Sequence, residues 1–273
     1  MFTFGSFFLL NLELKSCPNF RRALPHTSAP LPLPVYRSCS LDNLSVNDSV
    51  ALSDFLEQGG IVVDLRNADE RSPPPQQTPQ QTNRILHRPL LYPDRLWPKI
   101  ESQLTIREKL ICGFPGPLLS PRRWNSMLYR ALEKGGLMLL YKTILETSEV
   151  EIAAVLNTIV AAESGVLVNC RKGKDRTGLV SMLLAILFGD SSDVEIIDEY
   201  SKSEALLEAK PFPKFDPDKL DWSKFSGTPL SVGVATMDLI NEKGRDEWLY
   251  SIGVDRVAVK AWKARHSSHF ERH

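Results

Sequence analysis

Apolar residues fall into two kinds of run along this chain. One kind recurs every three or four residues, as in E-V-E-I-A-A-V-L-N-T-I-V-A-A-E (149–163), and predicts an amphipathic helix that Gly165 ends. The other is short, continuous and β-branched, as in I-V-V-D-L-R (61–66) and G-V-L-V-N-C (165–170), and predicts buried strands. Helices are expected on the same grounds over 46–58, 124–132, 194–207 and 229–242. Asn47 or Ser45 would cap the first of these, and Gly59 and Gly60 would stop it. The stretch T-G-L-V-S-M-L-L-A-I-L-F (177–188) is apolar on every side, which predicts a helix buried all round.

Breakers separate these elements. P-H-T-S-A-P-L-P-L-P (25–34) reads as an extended connection, and 111–124 and 211–229 read as loops. The Pro- and Gln-rich stretch 71–84 reads as a mobile surface loop within one domain, because strand-like I-L-H-R-P-L-L follows at once. The opening M-F-T-F-G-S-F-F-L-L-N-L-E-L-K is apolar but has no basic residue before its apolar run and reaches Glu13 soon after. Residues 1–18 therefore read as an N-terminal segment or first strand, with a targeting remnant as the alternative. Residues 257–273 read as a polar tail. Helices alternating with short buried strands predict a single α/β domain over about 19–256, with a largely parallel central sheet flanked by helices.

Composition narrows the partners. Among 273 residues, Lys plus Arg and Asp plus Glu number 33 each, so no overall attraction to nucleic acid is expected, and contact with a membrane surface would be at most transient. Cys17, Cys39, Cys112 and Cys170 form no C-x-x-C pair, so neither a zinc site nor a disulfide framework is expected, and a reducing, cytoplasmic compartment suits them. No apolar run is long enough for a membrane-spanning helix. His26, His87, His266, His269 and His273 are dispersed or terminal, so neither metal nor cofactor is expected. Oligomeric state leaves no mark on the sequence.

The chemistry concentrates in N-C-R-K-G-K-D-R-T-G (169–178), between a predicted strand and the buried helix. A loop entering a helix N-terminus points unpaired backbone N–H groups at one spot, and Gly173 lets successive amides converge as an anion-binding nest. Cys170 would stand on its floor, where an electropositive setting can bring a thiol's pKa down to roughly 3.5–7.5. The planar fork of Arg176 can hold two oxygens of a tetrahedral anion, and the amides can stabilise charge on them. Thr177 is placed to donate to Cys170. Asp175 lies in the loop itself, and Arg171, Lys172 and Lys174 add positive charge.

The string C-R-K-G-K-D-R-T-G resembles the C-x5-R-[ST] signature of the cysteine-dependent tyrosine and dual-specificity phosphatases. G-K-D-R-T-G is similar, more narrowly, to the bacterial- and fungal-type tyrosine phosphatases, a family that also includes phosphoinositide phosphatases. N-F-R (19–21), Y-R-S (36–38), V-V-D-L-R (62–66), M-L-Y-R-A-L, I-I-D-E-Y-S-K-S-E (196–204) and G-x-x-E-W-L-x-x-I-G-V (244–254) agree with it. The resemblance implies a phosphotyrosine-phosphatase-like fold and metal-independent hydrolysis of phosphate monoesters through a cysteinyl-phosphate. Phosphotyrosine proteins, with phosphoserine or phosphothreonine beside them, and phosphoinositides are the substrate classes it leaves open. Phosphoinositide phosphatases of the superfamily carry basic residues where Arg171 and Lys174 stand, to meet further ring phosphates; the alternative is that these side chains only raise the local potential and point to solvent. A nucleotide-binding loop would need G-K-[ST], and Asp175 after Lys174 excludes it. A sulfurtransferase is disfavoured by Thr177-Gly178.

One carboxyl group can serve as general acid and then as base. The resemblance points to Asp94 in L-L-Y-P-D, with Asp175 as the second candidate, while Asp64 and Arg66 read as structural. The family pattern has His immediately before the nucleophile, and Asn169 stands here. An amide could bond loop carbonyls but carries no positive charge, so the expectation is a higher thiol pKa and weaker activity at acidic pH. A weak or inactive phosphate-binding pseudophosphatase is the alternative function.

Overall fold

The computed structural model describes residues 12–24, 33–72, 83–111, 121–207 and 220–267. Its sheet is built around the run V-L-V-N: β5 (Val166–Asn169) lies between β2 (Val35–Ser38) and β3 (Ile61–Asp64), parallel to both. The β4 strand (Ile85–His87) pairs parallel with the outer edge of β3, and the two-residue β1 (Arg21–Arg22) pairs antiparallel with β2. The order is therefore β1-β2-β5-β3-β4. Registers fix which side chains share a level at the strand ends, where Ser38 and Asp64 both stand opposite Asn169.

The period of two along the strands sorts the core into two layers. Leu167, Val62 and Tyr36 face α1 (Val46–Glu57), packing with Leu52, Phe55 and Leu56. Val166, Val168, Val63 and Val35 face the larger layer. That layer holds α4 (Pro121–Thr147), α5 (Glu149–Val160) and α6 (Asp175–Phe188). Both faces of the sheet are thus covered, as its near-continuous apolar strands require. Residues 176–187 of α6 are all buried, and Gly189, in the left-handed conformation, ends the helix. Ser45, not Asn47, caps α1 by accepting from the Asp48 amide at 3.2 Å. Among the described residues no helix is long and apolar enough to cross a membrane.

Several elements differ from the expected ones. α2 (Pro93–Ser102), with proline at its first position, was not foreseen, nor was the short α3 (Ile106–Ile111). The helix expected over 124–132 is part of the longer α4, which breaks direction at Gly136 (φ +57). The one expected over 194–207 divides into α7 (Asp193–Ser201) and α8 (Ser203–Leu206). The last expected helix is α9 (Leu230–Glu242), followed by α10 (Arg245–Ser251). Residues 257–267, expected as a polar tail, belong to α11 (Arg256–Ser267). Its Val259 and Trp262 are three apart, each 1% exposed, and a single buried stripe is easily hidden among charges. No strand forms over 12–20, where the chain makes turns with Leu12 and Leu14 buried; residues 1–11 lie outside the described part. Most of the 25–34 connection and of the Pro/Gln stretch lies outside it too.

Candidate active site

Ligand sites of parallel sheets form beyond the C-terminal ends of the strands, and there β5 passes into α6 through residues 170–174. Cys170 is buried, 2% exposed, at the end of β5. Gly173 takes φ +68, and a methyl group on it would lie 2.3 Å from the Ser38 carbonyl oxygen. The loop can therefore lie flat on the end of β2 only as glycine. The amides of Arg171, Gly173, Lys174, Asp175 and Arg176 donate to no carbonyl among the described residues. They stand at the N-terminus of α6, the arrangement that receives an anion.

Arg176 is set by a residue that the sequence did not single out. A short 3-10 helix (Ala68–Glu70) follows β3, and the Glu70 carboxylate caps it by accepting from the Asn67 amide at 3.0 Å. The Glu70 carboxylate accepts from Arg176 Nη1 at 2.5 Å and Nη2 at 2.6 Å, and Nη1 also donates to the Leu65 carbonyl at 3.2 Å. These bonds use both Nη1 hydrogens and one on Nη2. They leave Nε–H and the second Nη2–H, along one edge of the guanidinium, for two oxygens of an anion. Burial acts to lower the Arg176 pKa, but Glu70, and next the charge of Cys170, hold it above the ordinary arginine value. Burial likewise acts to raise Glu70, yet the bond and charge of Arg176 bring it below its ordinary 4.5.

The loop carbonyls are gripped from beneath. The Gly173 carbonyl accepts from Asn19 Nδ2 and from Arg37 Nη2, each at 2.8 Å, and the Arg171 carbonyl accepts from the Ser40 amide at 3.1 Å. Asn19 holds φ +62, a conformation that asparagine tolerates better than most residues. Its Oδ1 accepts from Arg21, whose Nε in turn donates to Glu199 at 2.5 Å. Ser203 Oγ accepts from Asn19, Arg21 and Arg37. The flanking stretches N-F-R, Y-R-S and I-I-D-E-Y-S-K-S-E thus form one buried polar layer under the loop. Arg37 is fully buried there; burial, and then the charge of Arg21, push its pKa down to about 9, against the pull of Glu199 and Cys170.

The remaining candidates divide. Lys174, 1% exposed, gives its ammonium hydrogens to Asp175 Oδ1 at 2.9 Å and to the carbonyls of Phe225 and Gly227 at 2.9 and 2.7 Å. It neither points to solvent nor keeps a hydrogen for a second phosphate, because a nearby 3-10 turn (Trp222–Phe225) and Gly227 just after it supply acceptors that no sequence spacing revealed. Asp175 also accepts from Tyr141 Oη at 2.9 Å, so it ties the loop to α4. Arg171 and Lys172 stay exposed. Partial desolvation, and then the charge of Lys174, lower the Lys172 pKa. Asp94 is exposed in the first turn of α2, and among the described residues no hydrogen bond or ion pair joins it to the loop.

Two expectations about the nucleophile's neighbours need correction. Neither side-chain atom of Asn169, which is fully buried, has a hydrogen-bond partner among the described residues. Asn19 and Arg37 already occupy the loop carbonyl that an amide could have taken. The buried Thr177 hydroxyl has no partner either, so no bond to Cys170 is made in this structure. Asp64 and Arg66 pair with each other at 2.9 Å, and Arg66 also reaches Asp42 at 2.5 Å, which is the structural arrangement expected of them.

Glu70→Gln should reduce kcat/KM for an aryl phosphate by about a hundredfold, since a charge-assisted bidentate pair contributes roughly 1.5–3 kcal/mol. Circular dichroism should show an intact fold; unchanged kinetics would detach Glu70 from the site. The depressed Glu70 pKa also has a pH signature. Its stabilisation is present above the ordinary 4.5 and lost as pH falls through the folded value, so wild type and variant should converge in Tm below that range.

A family model described as tyrosine phosphatase family matches residues 12–266. No curated protein matches the chain.

Proposed function

Because the chain belongs to the tyrosine phosphatase family, we propose that it hydrolyses phosphate monoesters through a phosphate carried on Cys170. The observation that carries this reading is the free edge of Arg176, held by Glu70 beside the amide-lined loop above a buried thiol. In the first step Cys170 attacks phosphorus, the loop amides and Arg176 hold the non-bridging oxygens, and a carboxylic acid protonates the leaving oxygen. In the second step a base takes a proton from water, which displaces phosphate from sulfur. This chain needs no metal for either step as written, and a reducing, cytoplasmic setting suits an enzyme with a thiol nucleophile.

Asp94 is our choice for the acid. Asp175 is engaged by Lys174 and Tyr141, whereas Asp94 stands exposed on α2. Asp94→Ala should lower kcat by about a hundredfold, with KM nearly unchanged and the larger loss on the substrate with the poorer leaving group. An unchanged kcat in that variant would move the role to Asp175.

Phosphotyrosine protein is the substrate class that we favour, since Lys174 has no hydrogen left for a further phosphate. Phosphoinositides are the second reading, because Arg171 and Lys172 remain exposed beside the loop. The test is phosphate release from a chromogenic aryl phosphate in the presence of a chelator, then from phosphotyrosine peptides and from mono- and bis-phosphorylated inositides. Absence of turnover on every substrate, with phosphate still bound, would leave a non-catalytic binding module instead.

A further inference from the structure

Cys17 and Cys39, 22 positions apart in sequence, meet with their sulfurs 3.3 Å apart. Cys17 is 4% exposed, while Cys39, at the end of β2, is half-buried and within reach of solvent. Either sulfur can be the donor in this contact, so the pair can share one proton. The bond from Cys39, ahead of the opposing effect of burial, lowers the Cys17 pKa. Only a thiolate attacks another sulfur, so the arrangement favours exchange at this point.

The segments that carry the two sulfurs are the ones that hold the phosphate loop. The Cys39 amide donates to the Pro18 carbonyl at 3.1 Å, Asn19 donates to the Gly173 carbonyl, and Ser40 donates to the Arg171 carbonyl. We propose that Cys17 and Cys39 are a redox modification site, oxidised by a hydroperoxide to a disulfide that staples together the two arms beneath the loop. The site is separate from Cys170 and does not depend on the phosphatase reading.

The chemistry balances without any further reactant. With the shared proton on Cys17, the half-buried Cys39 attacks one peroxide oxygen as thiolate; the O–O bond breaks, and the other oxygen leaves with a proton as water or an alcohol. Cys39 is then a sulfenic acid. Cys17 thiolate attacks its sulfur, the S–S bond forms, the S–O bond breaks, and hydroxide leaves and takes up the remaining proton as water. The two thiols lose two electrons and two protons, and the peroxide receives both. Any thiol reductant reverses the change by exchange.

The experiment uses the full chain carrying Cys170→Ser, so that the buried loop thiol cannot compete. Brief treatment with hydrogen peroxide, alkylation, proteolysis without reductant and mass spectrometry should yield one linked pair of peptides containing Cys17 and Cys39. Dithiothreitol should abolish it. Closing a loop of this length should also raise Tm by about 5 °C before reduction, and not after. The same treatment of the Cys39→Ser, Cys170→Ser protein should give neither the link nor the rise. Recovery of both thiols as alkylated monomers, a link from Cys39 to Cys112, or an unchanged Tm in the linked protein would each overturn the proposal.

Discussion

Cys170→Ser should lower turnover of an aryl phosphate by about four orders of magnitude or more, while tungstate binds to the loop with its affinity unchanged within about threefold. A loss of that size corresponds to more than about 5 kcal/mol of transition-state stabilisation. The mechanism we propose attacks with sulfur, and a thiolate needs no base to remove a proton at the moment of attack. A serine hydroxyl would need one, and the charged groups coupled to position 170 are cationic: Arg176 carries its charge at the loop's rim and Arg37 beneath it. An oxyanion, by contrast, is held by the loop amides and the free edge of Arg176, neither of which the substitution touches. Initial rates and titration calorimetry on the same two proteins separate the two effects. Equal rates in wild type and variant would sink the cysteine mechanism outright. Loss of tungstate binding together with the rate would instead mean that the variant's loop has collapsed.

How far the sequence reached is best seen in three residues. Cys170 was legible because its surroundings are local: a β-branched strand before it, a helix after it, and a glycine between two lysines define a loop whose amides must converge. The two-layered α/β sheet was legible for the same reason, since period two and period 3.6 are local patterns. Glu70 was not. It sits 106 positions before Arg176, and only the pairing of β3 with β5 brings the two together. A local sign did exist, since N-A-D-E has the spacing of a capping box just after a predicted strand, but it marks a turn and not what the turn's carboxylate faces. Lys174 shows the opposite failure. Its place in the loop suggested a charge facing substrate, yet its partners come from 51 and 53 positions away and enclose it. Long-range burial, not local pattern, decides what a lysine does. The motif residues Asn19 and Arg37 lie between these cases: the resemblance marked their positions, and only the structure shows that both grip the Gly173 carbonyl.

That grip makes Gly173 the position where a single methyl group should do the most harm to fold and site together. Gly173→Ala must put an alanine at φ +68, which costs about 1 kcal/mol. The added carbon would also stand 2.3 Å from the Ser38 oxygen and 2.7 Å from the Cys39 nitrogen, both backbone atoms. β2 cannot yield without breaking the Ser38–Asn169 register in the middle of the sheet, so the loop must lift instead. Lifting strains the bonds from Asn19 and Arg37, and with the overpacking brings the loss to roughly 2–4 kcal/mol, a fall in Tm of about 5–10 °C. It also pushes the loop amides into the space an anion would occupy, so aryl phosphate turnover should fall by more than the stability loss explains, about a hundredfold in protein that is still folded. Gly244→Ala is the matched control. Gly244 has φ +96 but nothing within 4 Å of where a methyl group would lie. It should therefore show the backbone cost alone, about 1 kcal/mol, with turnover intact. If the two variants lose stability equally and both keep their activity, contact with Ser38 is not what the glycine is for.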